Sequence, residues 1–274
     1  MMNKKERKKE RKKAVYSLIH GGCGNQLSQI AVGYIISKEV DRPLFFDKRV
    51  MGPTHSKSHD AIINQIMYEN FRYQYLSDDK YYLNYDYNNF FPIIRFLRKD
   101  GFSDKPLLLG GLINEWNYFY KYKEDLFSLF HPFISNEIRD KRIGFHFRLG
   151  DYTYYLPELI ISNNYILNGI KGMIERGASH EIDCFTEEPE KAKIRIEESL
   201  ASEPSMKEIR INFVHEDDLT TFKKMQEYRY FISSLSSFSW WANFFAMSFN
   251  NDRVLSLVEL KNFRFSKNQF CPES

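Results

Sequence analysis

The sequence predicts an α/β protein of two doubly wound, parallel-sheet domains facing across a cleft. Three observations predict it. Strand and helix patterns alternate strictly from residue 143 to 260. The chain opens with a strand, a glycine-rich turn, a helix and a second strand. Charged or Gly/Ser-rich segments then fall where the strands should end, which is where parallel sheets bind their ligands.

In chain order, Ala14–His20 (AVYSLIH) reads as the first strand and GGCGNQ (21–26) as a turn. The spacing of Leu27, Ile30, Ala31, Tyr34 and Ile35 predicts a helix over Leu27–Val40, stopped by Pro43. PLFFD is the second strand. Residues 48–105 read as irregular and cleft-lining, with a helix over Ala61–Tyr73 and no period in YYLNYDYNNFF (81–91). His55 and His59 stand at i, i+4, but with Gly-Pro upstream and no third ligand they read as solvated loop residues. Leu107–Leu112 is a strand, and Asn114–Phe130 an aromatic-rich helix.

The second half is more regular. Strands are expected at Ile143–Arg148, Glu181–Thr186, Glu208–His215, Tyr230–Ser234 and Arg253–Leu260. Helices are expected at Tyr165–Arg176, from Pro189, at Leu219–Tyr230 and at Phe238–Ser248. The expected division is a basic disordered tail over 1–13, an N-terminal Rossmann-like domain over 14–138 and a C-terminal one over 139–274.

The 274 residues carry a formal charge of +3, with 43% hydrophobic and 27% charged side chains, the balance of a soluble globular chain. Residues 1–13 hold eight Lys/Arg and two Glu, so the rest of the chain is slightly acidic. An acidic body excludes a nucleic-acid partner. The tail is read as a solubilising segment or as a tether to an anionic membrane surface. No apolar run reaches the roughly 20 residues that a membrane span needs. Cys23, Cys184 and Cys271 are too few and too scattered for a disulfide framework or a zinc site, which points to a reducing compartment.

Four segments sit at strand ends: GGCGNQ, HFRLGDY (146–152), TEEPE (186–190) and SSLSSFSWW (233–241). In the first, Gly22 and Gly24 allow a ligand close to the backbone, and the following helix N-terminus favours an anion. It lacks the third glycine of a dinucleotide fingerprint and the lysine of a P-loop. In the last, Ser236, Ser237 or Ser239 caps a helix or binds a phosphate with the same exposed N–H groups. Phe238 packs or stacks on a base, and Trp240 and Trp241 read as packing residues. Arg148 offers a permanently charged planar fork suited to a phosphate, or else pairs with Asp151 or a nearby glutamate.

In their order and approximate spacing, GGCGNQL, HFRLGDY, FTEEPE and SSFSWWA resemble the motifs of bacterial α-1,2-fucosyltransferases, glycosyltransferase family 11. That family's pattern looks like GGLGNQ(M/L)FQ, HxRRGDY, FSDDPEW and SSFSWWxA. GLINEWNYF (111–119) is similar to its aromatic GYWQSEKYF segment. The likeness covers residues 15 to about 260.

The resemblance implies a GT-B-like pair of Rossmann-like domains with GDP-fucose on the C-terminal one and the acceptor on the N-terminal side. It would place Arg148 on the β-phosphate, His146 at the nucleotide, and Ser236, Ser237 and Phe238 on phosphate and nucleoside. Glu187 would meet ribose or guanine, and Asn25 would reach across the cleft. This chain departs from the pattern at Leu149, which replaces the second arginine, and at Cys23, Ser28 and Thr186-Glu187-Glu188.

The expected activity is metal-independent, inverting transfer of fucose from GDP-fucose to a glycan hydroxyl, O2 of a galactose being the implied position. No Asp-x-Asp pair is present, so Arg148 and a helix N-terminus would balance the charge on departing GDP without a metal or other cofactor. Asp151 is the carboxylate candidate for general base; closing the turn or pairing with Arg148 is its alternative role. The expected acceptor is a glycan or lipid-linked oligosaccharide. The expected location is cytoplasmic, with residues 1–13 touching the inner membrane face. Alternatives are another GDP-sugar or linkage, or a catalytically silent nucleotide- or glycan-binding relative.

Overall fold

A computed structural model of the chain describes residues 14–47, 72–73, 81–86, 90–98, 105–135, 137, 139–249, 252–256, 263–264 and 269–270. The basic tail, His55, His59 and most of the expected Ala61–Tyr73 helix lie outside these residues, as does Cys271. The chain divides into two compact units, Met1–Pro132 and Phe133–Ser274.

The first unit holds a five-stranded parallel sheet: β1 (Val15–Leu18), β2 (Leu44–Asp47), β3 (Arg72–Tyr73), β4 (Tyr81–Tyr85) and β5 (Leu107–Gly111), in the order β3-β2-β1-β5-β4. Its helix α1 (Cys23–Glu39) connects β1 to β2. Gly33 lets that helix approach the sheet closely, since a Cβ there would stand 2.9 Å from Ser17 Cβ and 3.1 Å from a Leu44 methyl. Tyr16 stacks on Phe45 at 5.3 Å within a cluster of Ala14, Tyr16, Phe45 and Leu108.

Three expectations for this half are corrected. The first helix begins at Cys23, not Leu27, so Gly24, Asn25 and Gln26 form its first turn. The Tyr/Asn-rich stretch contributes the edge strand β4, and helix α2 (Phe90–Arg98) follows it where an irregular segment was expected. Exposure alternates along β4, with Tyr82 and Asn84 exposed and Tyr85 buried, but tyrosines stand on both faces and so hide the period in the sequence. The expected Asn114–Phe130 helix begins instead as a two-residue strand, β6 (Asn114–Glu115). It continues as α3 (Trp116–Tyr120) and α4 (Lys123–Phe130), broken at Lys121–Tyr122.

The second unit holds a six-stranded parallel sheet. Its strands are β7 (Arg139–His146), β8 (Glu181–Phe185), β9 (Arg210–Val214), β10 (Tyr228–Ser233), β11 (Val254–Ser256) and β13 (Gln269–Phe270); β12 (Phe263–Arg264) lies outside it. Its order, β13-β11-β10-β7-β8-β9, is that of a doubly wound fold, with β7 and β10 at the point where the winding reverses. Between strands run α5 (Tyr152–Tyr155), α6 (Asn163–Glu175), α7 (Pro189–Leu200), α8 (Asp218–Gln226) and α9 (Ser237–Phe249).

One face of this sheet is apolar and continuous. Ile143, Phe145, Ile182, Cys184, Tyr230 and Ile232 pack there with Ile166, Ile170 and Met173 of α6 and Ala192 and Ile196 of α7. Gly144, Asp183 and Phe231 alternate with them and face the other side. Gly144 makes room for two rings: a Cβ there would stand 2.6 Å from Phe231 and 2.7 Å from Tyr228. Helix α8 ends at Gln226, and Tyr228, expected within it, opens β10 instead. Arg253 explains that junction. Its buried guanidinium donates to the carbonyls of Met225, Gln226 and Tyr228 and to Asn243 Oδ1, at 2.7–3.0 Å, tying the helix end to the strand start.

Candidate functional site

The reversal of winding in the second sheet places two chain ends side by side. His146 closes β7 in register with Ser233, which closes β10. In such sheets the usual ligand position is the crevice beyond strand ends at a reversal of this kind. The β7 side supplies His146, Arg148 and Asp151, and the β10 side supplies Ser234, Ser236, Ser237 and Phe238. Glu187 follows the neighbouring strand β8 and reaches the same place. Arg148 stands two residues past the strand, not within it as expected.

Arg148 is 28% exposed, and carboxylates from two elements hold its guanidinium: Asp151 takes one terminal nitrogen and Glu187 the other. Gly150, at φ +34°, makes the turn that brings Asp151 back. The Tyr152 ring lies 5.3 Å from the guanidinium carbon. The ion-pair role weighed for Arg148 and Asp151 is therefore the one these side chains display. Asp151 (34% exposed) and Glu187 (45% exposed) remain in contact with solvent. Exposed pairs of this kind are worth about 0–1 kcal/mol each. A bidentate, charge-assisted bond to a phosphate is stronger, so such a ligand can displace a carboxylate.

His146 is buried beside this cation. Burial first, and the Arg148 charge second, push its pKa down to about 3, so the ring is neutral under physiological conditions. Its Nδ1 finds no hydrogen-bond partner, and its ring lies 6.1 Å from Phe238. Phe238 is half-buried, with its other neighbour, Phe222, at 5.2 Å.

The serines divide into three roles. Ser236 caps α9: its Oγ accepts the Phe238 N–H at 3.3 Å, and its carbonyl accepts the Trp240 N–H at 2.9 Å. Ser239 is fully buried, hydrogen-bonded to Ser233 Oγ at 2.9 Å. Ser234, which the sequence did not single out, bridges the two strand ends: Oγ donates to the His146 carbonyl at 2.7 Å and accepts the Arg148 N–H at 2.9 Å. Two adjacent serines at a strand end gave no signal that one would cross to another strand. Trp240 and Trp241 are buried against Phe244 and Phe245, as packing residues.

Leu149 is 3% exposed and packs in the apolar cluster with Phe147, Ile161 and Tyr165. The place where the resemblance expects a second arginine is thus occupied by a core side chain, and the crevice carries one arginine on this loop.

In the first unit GGCGNQ lies at the corresponding reversal, between β1 and β5. Gly21, at φ +76°, makes the turn, and a Cβ there would stand 2.8 Å from Asn25 Nδ2. Gly22 occupies the N-cap position of α1 without a side-chain cap, and the Gly24 carbonyl accepts Ser28 Oγ at 3.1 Å. Gln26 is fully buried and donates to the Gly21 carbonyl at 2.6 Å. Ser28 Oγ bonds to Asn114, and Gln29 Oε1 accepts the His20 N–H at 2.9 Å. Of the six residues, Asn25 and the glycines Gly21 and Gly22 keep accessible surface.

Among the described residues no three or more His, Cys, Asp or Glu side chains gather to hold a metal ion. No helix among them is long and apolar enough to cross a membrane.

No protein-family model matches the sequence, and no curated protein matches it. Among solved structures, the chain is similar to a mutant of FUT1 from Arabidopsis thaliana in complex with GDP, at 10% identity and a TM-score of 0.46 over 89% of this chain and 73% of that one. It is similar to the fucosyltransferase NodZ from Bradyrhizobium, at 12% identity and a TM-score of 0.43 over 85% and 91%. A putative UDP-N-acetylglucosamine 2-epimerase from Listeria monocytogenes follows at 9% identity, with a TM-score of 0.38 over 82% and 75%. At these scores the likenesses bear on no residue; the α/β class rests on the two parallel sheets themselves.

Proposed function

We propose that this chain is a GDP-fucose-dependent fucosyltransferase that transfers fucose to a glycan hydroxyl with inversion and without a metal ion. The observation that carries the reading is the meeting of Arg148, through Ser234, with the turn that leads from β10 into α9 at the winding reversal of the second sheet. One unit thereby gathers a cation, a helix N-terminus and a neutral imidazole around one crevice. Three of the four motifs that resemble glycosyltransferase family 11, HFRLGDY, FTEEPE and SSFSWWA, are the segments that form it.

In the proposed reaction the bond from fucose C1 to the β-phosphate oxygen breaks, and its electron pair leaves with GDP. The acceptor oxygen forms the new bond to C1 from the opposite face and gives its proton to a water molecule. Arg148 stabilises the charge growing on the β-phosphate, with the N–H groups at the start of α9 beside it. Neutral His146 offers a ring nitrogen to the nucleotide without adding charge. Asp151 orients the Arg148 fork; its contact with that guanidinium favours this role over that of general base. Ser237, Phe238, Glu187 and Asn25 keep the ligand-facing roles that the resemblance assigns them, Gly22 keeps accessible backbone while Gly24 is buried, and O2 of galactose is the proposed acceptor position. Residues 1–13 would hold the enzyme at an anionic inner membrane surface, a role that cosedimentation with anionic vesicles, with and without those residues, would reveal.

The test is a calorimetric titration with GDP followed by a GDP-fucose hydrolysis and glycan-array assay. Tight GDP binding and transfer to at least one galactose-terminated glycan are expected. GDP binding without transfer or hydrolysis would make the chain a silent relative, and no GDP binding would end the proposal.

A further inference from the structure

Ser234 has no task in the chemistry above, yet it is the residue that joins the two sides of the crevice. It is 2% exposed, and its hydroxyl is engaged twice, donating to the His146 carbonyl at 2.7 Å and accepting the Arg148 N–H at 2.9 Å. Its backbone N–H donates to the same His146 carbonyl at 3.1 Å, and its carbonyl accepts the Ser236 N–H at 2.9 Å. The pairing of β7 with β10 ends at His146 and Ser233. Past that point this hydroxyl takes the place of the ladder and fixes the backbone from which the Arg148 side chain extends.

We infer that Ser234 is a positioning residue that sets where the Arg148 guanidinium stands and so gives the site its preference for a diphosphate over a monophosphate. With both hydrogen-bonding directions in use, its hydroxyl is not a ligand contact. A guanidinium fork is directional, and a small rotation at its backbone is magnified at the far end of a long side chain. Loosening this clasp therefore misplaces the charge that meets the second phosphate and leaves the nucleoside contacts alone. The inference rests on the reading that Arg148 holds the β-phosphate.

The experiment is calorimetric titration of the full chain and its variants with GDP and with GMP. Ser234→Ala is expected to weaken GDP binding by about tenfold, while GMP affinity changes by less than about twofold. Ser234→Thr, which keeps the hydroxyl, restores the wild-type ratio. Ser239→Ala removes an equally buried hydroxyl that bonds to Ser233, Ser234 and Ser236 rather than to β7, and it leaves the ratio unchanged. Should Ser234→Ala not fold, Ser234→Cys, of similar volume and with a weak acceptor, takes its place. A wild-type GDP:GMP ratio in the Ala or Cys variant overturns the inference. So does an equal loss for both nucleotides, or a threonine variant that fails to restore the ratio. A wild-type chain that binds GDP no better than GMP overturns the Arg148 reading as well.

Discussion

The two winding reversals share a topology and differ in chemistry. The first, between β1 and β5, is lined by neutral groups that bond within the unit: Gln26 binds Gly21, Ser28 binds Asn114, and Gln29 binds His20. The second, between β7 and β10, gathers Arg148, Asp151 and Glu187, all partly exposed, beside a buried neutral histidine. A parallel sheet supplies a crevice at such a point whatever the residues, so it marks a place without naming a ligand. The side chains make the distinction. Among the described residues of GGCGNQ, the accessible rim of the first crevice, Asn25 included, offers neutral contacts, whereas the second holds a guanidinium that an anion can reach once a carboxylate gives way.

The contrast can be broken most directly at Arg148. Arg148→Ala should lower GDP-fucose turnover by at least on the order of 100-fold, the loss typical of a missing transition-state donor. Gln26→Ala should leave GDP affinity unchanged, measured on the same preparation. Equal losses from the two variants would erase the difference between the crevices.

A second test uses pH. The folded pKa of His146 lies below the ordinary value of 6.5, so between 6.5 and about 3 the unfolded chain takes up a proton that the folded chain refuses. Stability contributed this way is complete above pH 6.5 and declines as the pH falls. Urea unfolding of the wild type should lose about 2 kcal/mol more than His146→Gln between pH 7 and pH 5. A parallel decline in both chains would show that burial does not exclude the proton. At the first crevice Gly21→Ala should cost about 1–2 kcal/mol of stability, since a Cβ at positive φ also meets Asn25. An unchanged melting temperature would mean that this turn is looser than its contacts indicate.

The smallest expected effect is at Glu187. Its exposed pairing with Arg148 must give way to an anion, so Glu187→Gln should tighten binding of inorganic pyrophosphate by no more than about fivefold. Weaker binding of GDP with unchanged pyrophosphate binding would instead favour the ribose or guanine contact that the resemblance suggests.

The second unit was legible because its strands and helices are buried on predictable faces: the α7 start at Pro189 and the β8 start at Glu181 were read at the residue. The first was less so, for reasons visible in particular residues. Tyr81–Tyr85 forms an edge strand with aromatics on both flanks, and the aromatic run after Asn114 breaks at Tyr122 because tertiary packing overrides helical periodicity. At the crevice the charged residues were identified from type and spacing. Burial was not legible: the enclosure of His146 and Gln26, the turn of Leu149 into the core and the bridging hydroxyl of Ser234 all depend on neighbours distant in sequence.

Helix α9 has little water-facing surface: from Ser239 to Met247 every residue is buried, Asn243 included. Such a helix has no amphipathic face with which to persist on its own, and it forms only as its surroundings close over it. Its first turn, where the crevice presents Ser236–Phe238, therefore exists only in the completed unit. A molecule bound there adds its free energy to the cooperative unfolding of that unit as a whole rather than to the ordering of a loop. Ligand screening by thermal denaturation is thus suited to this protein even before any acceptor is known.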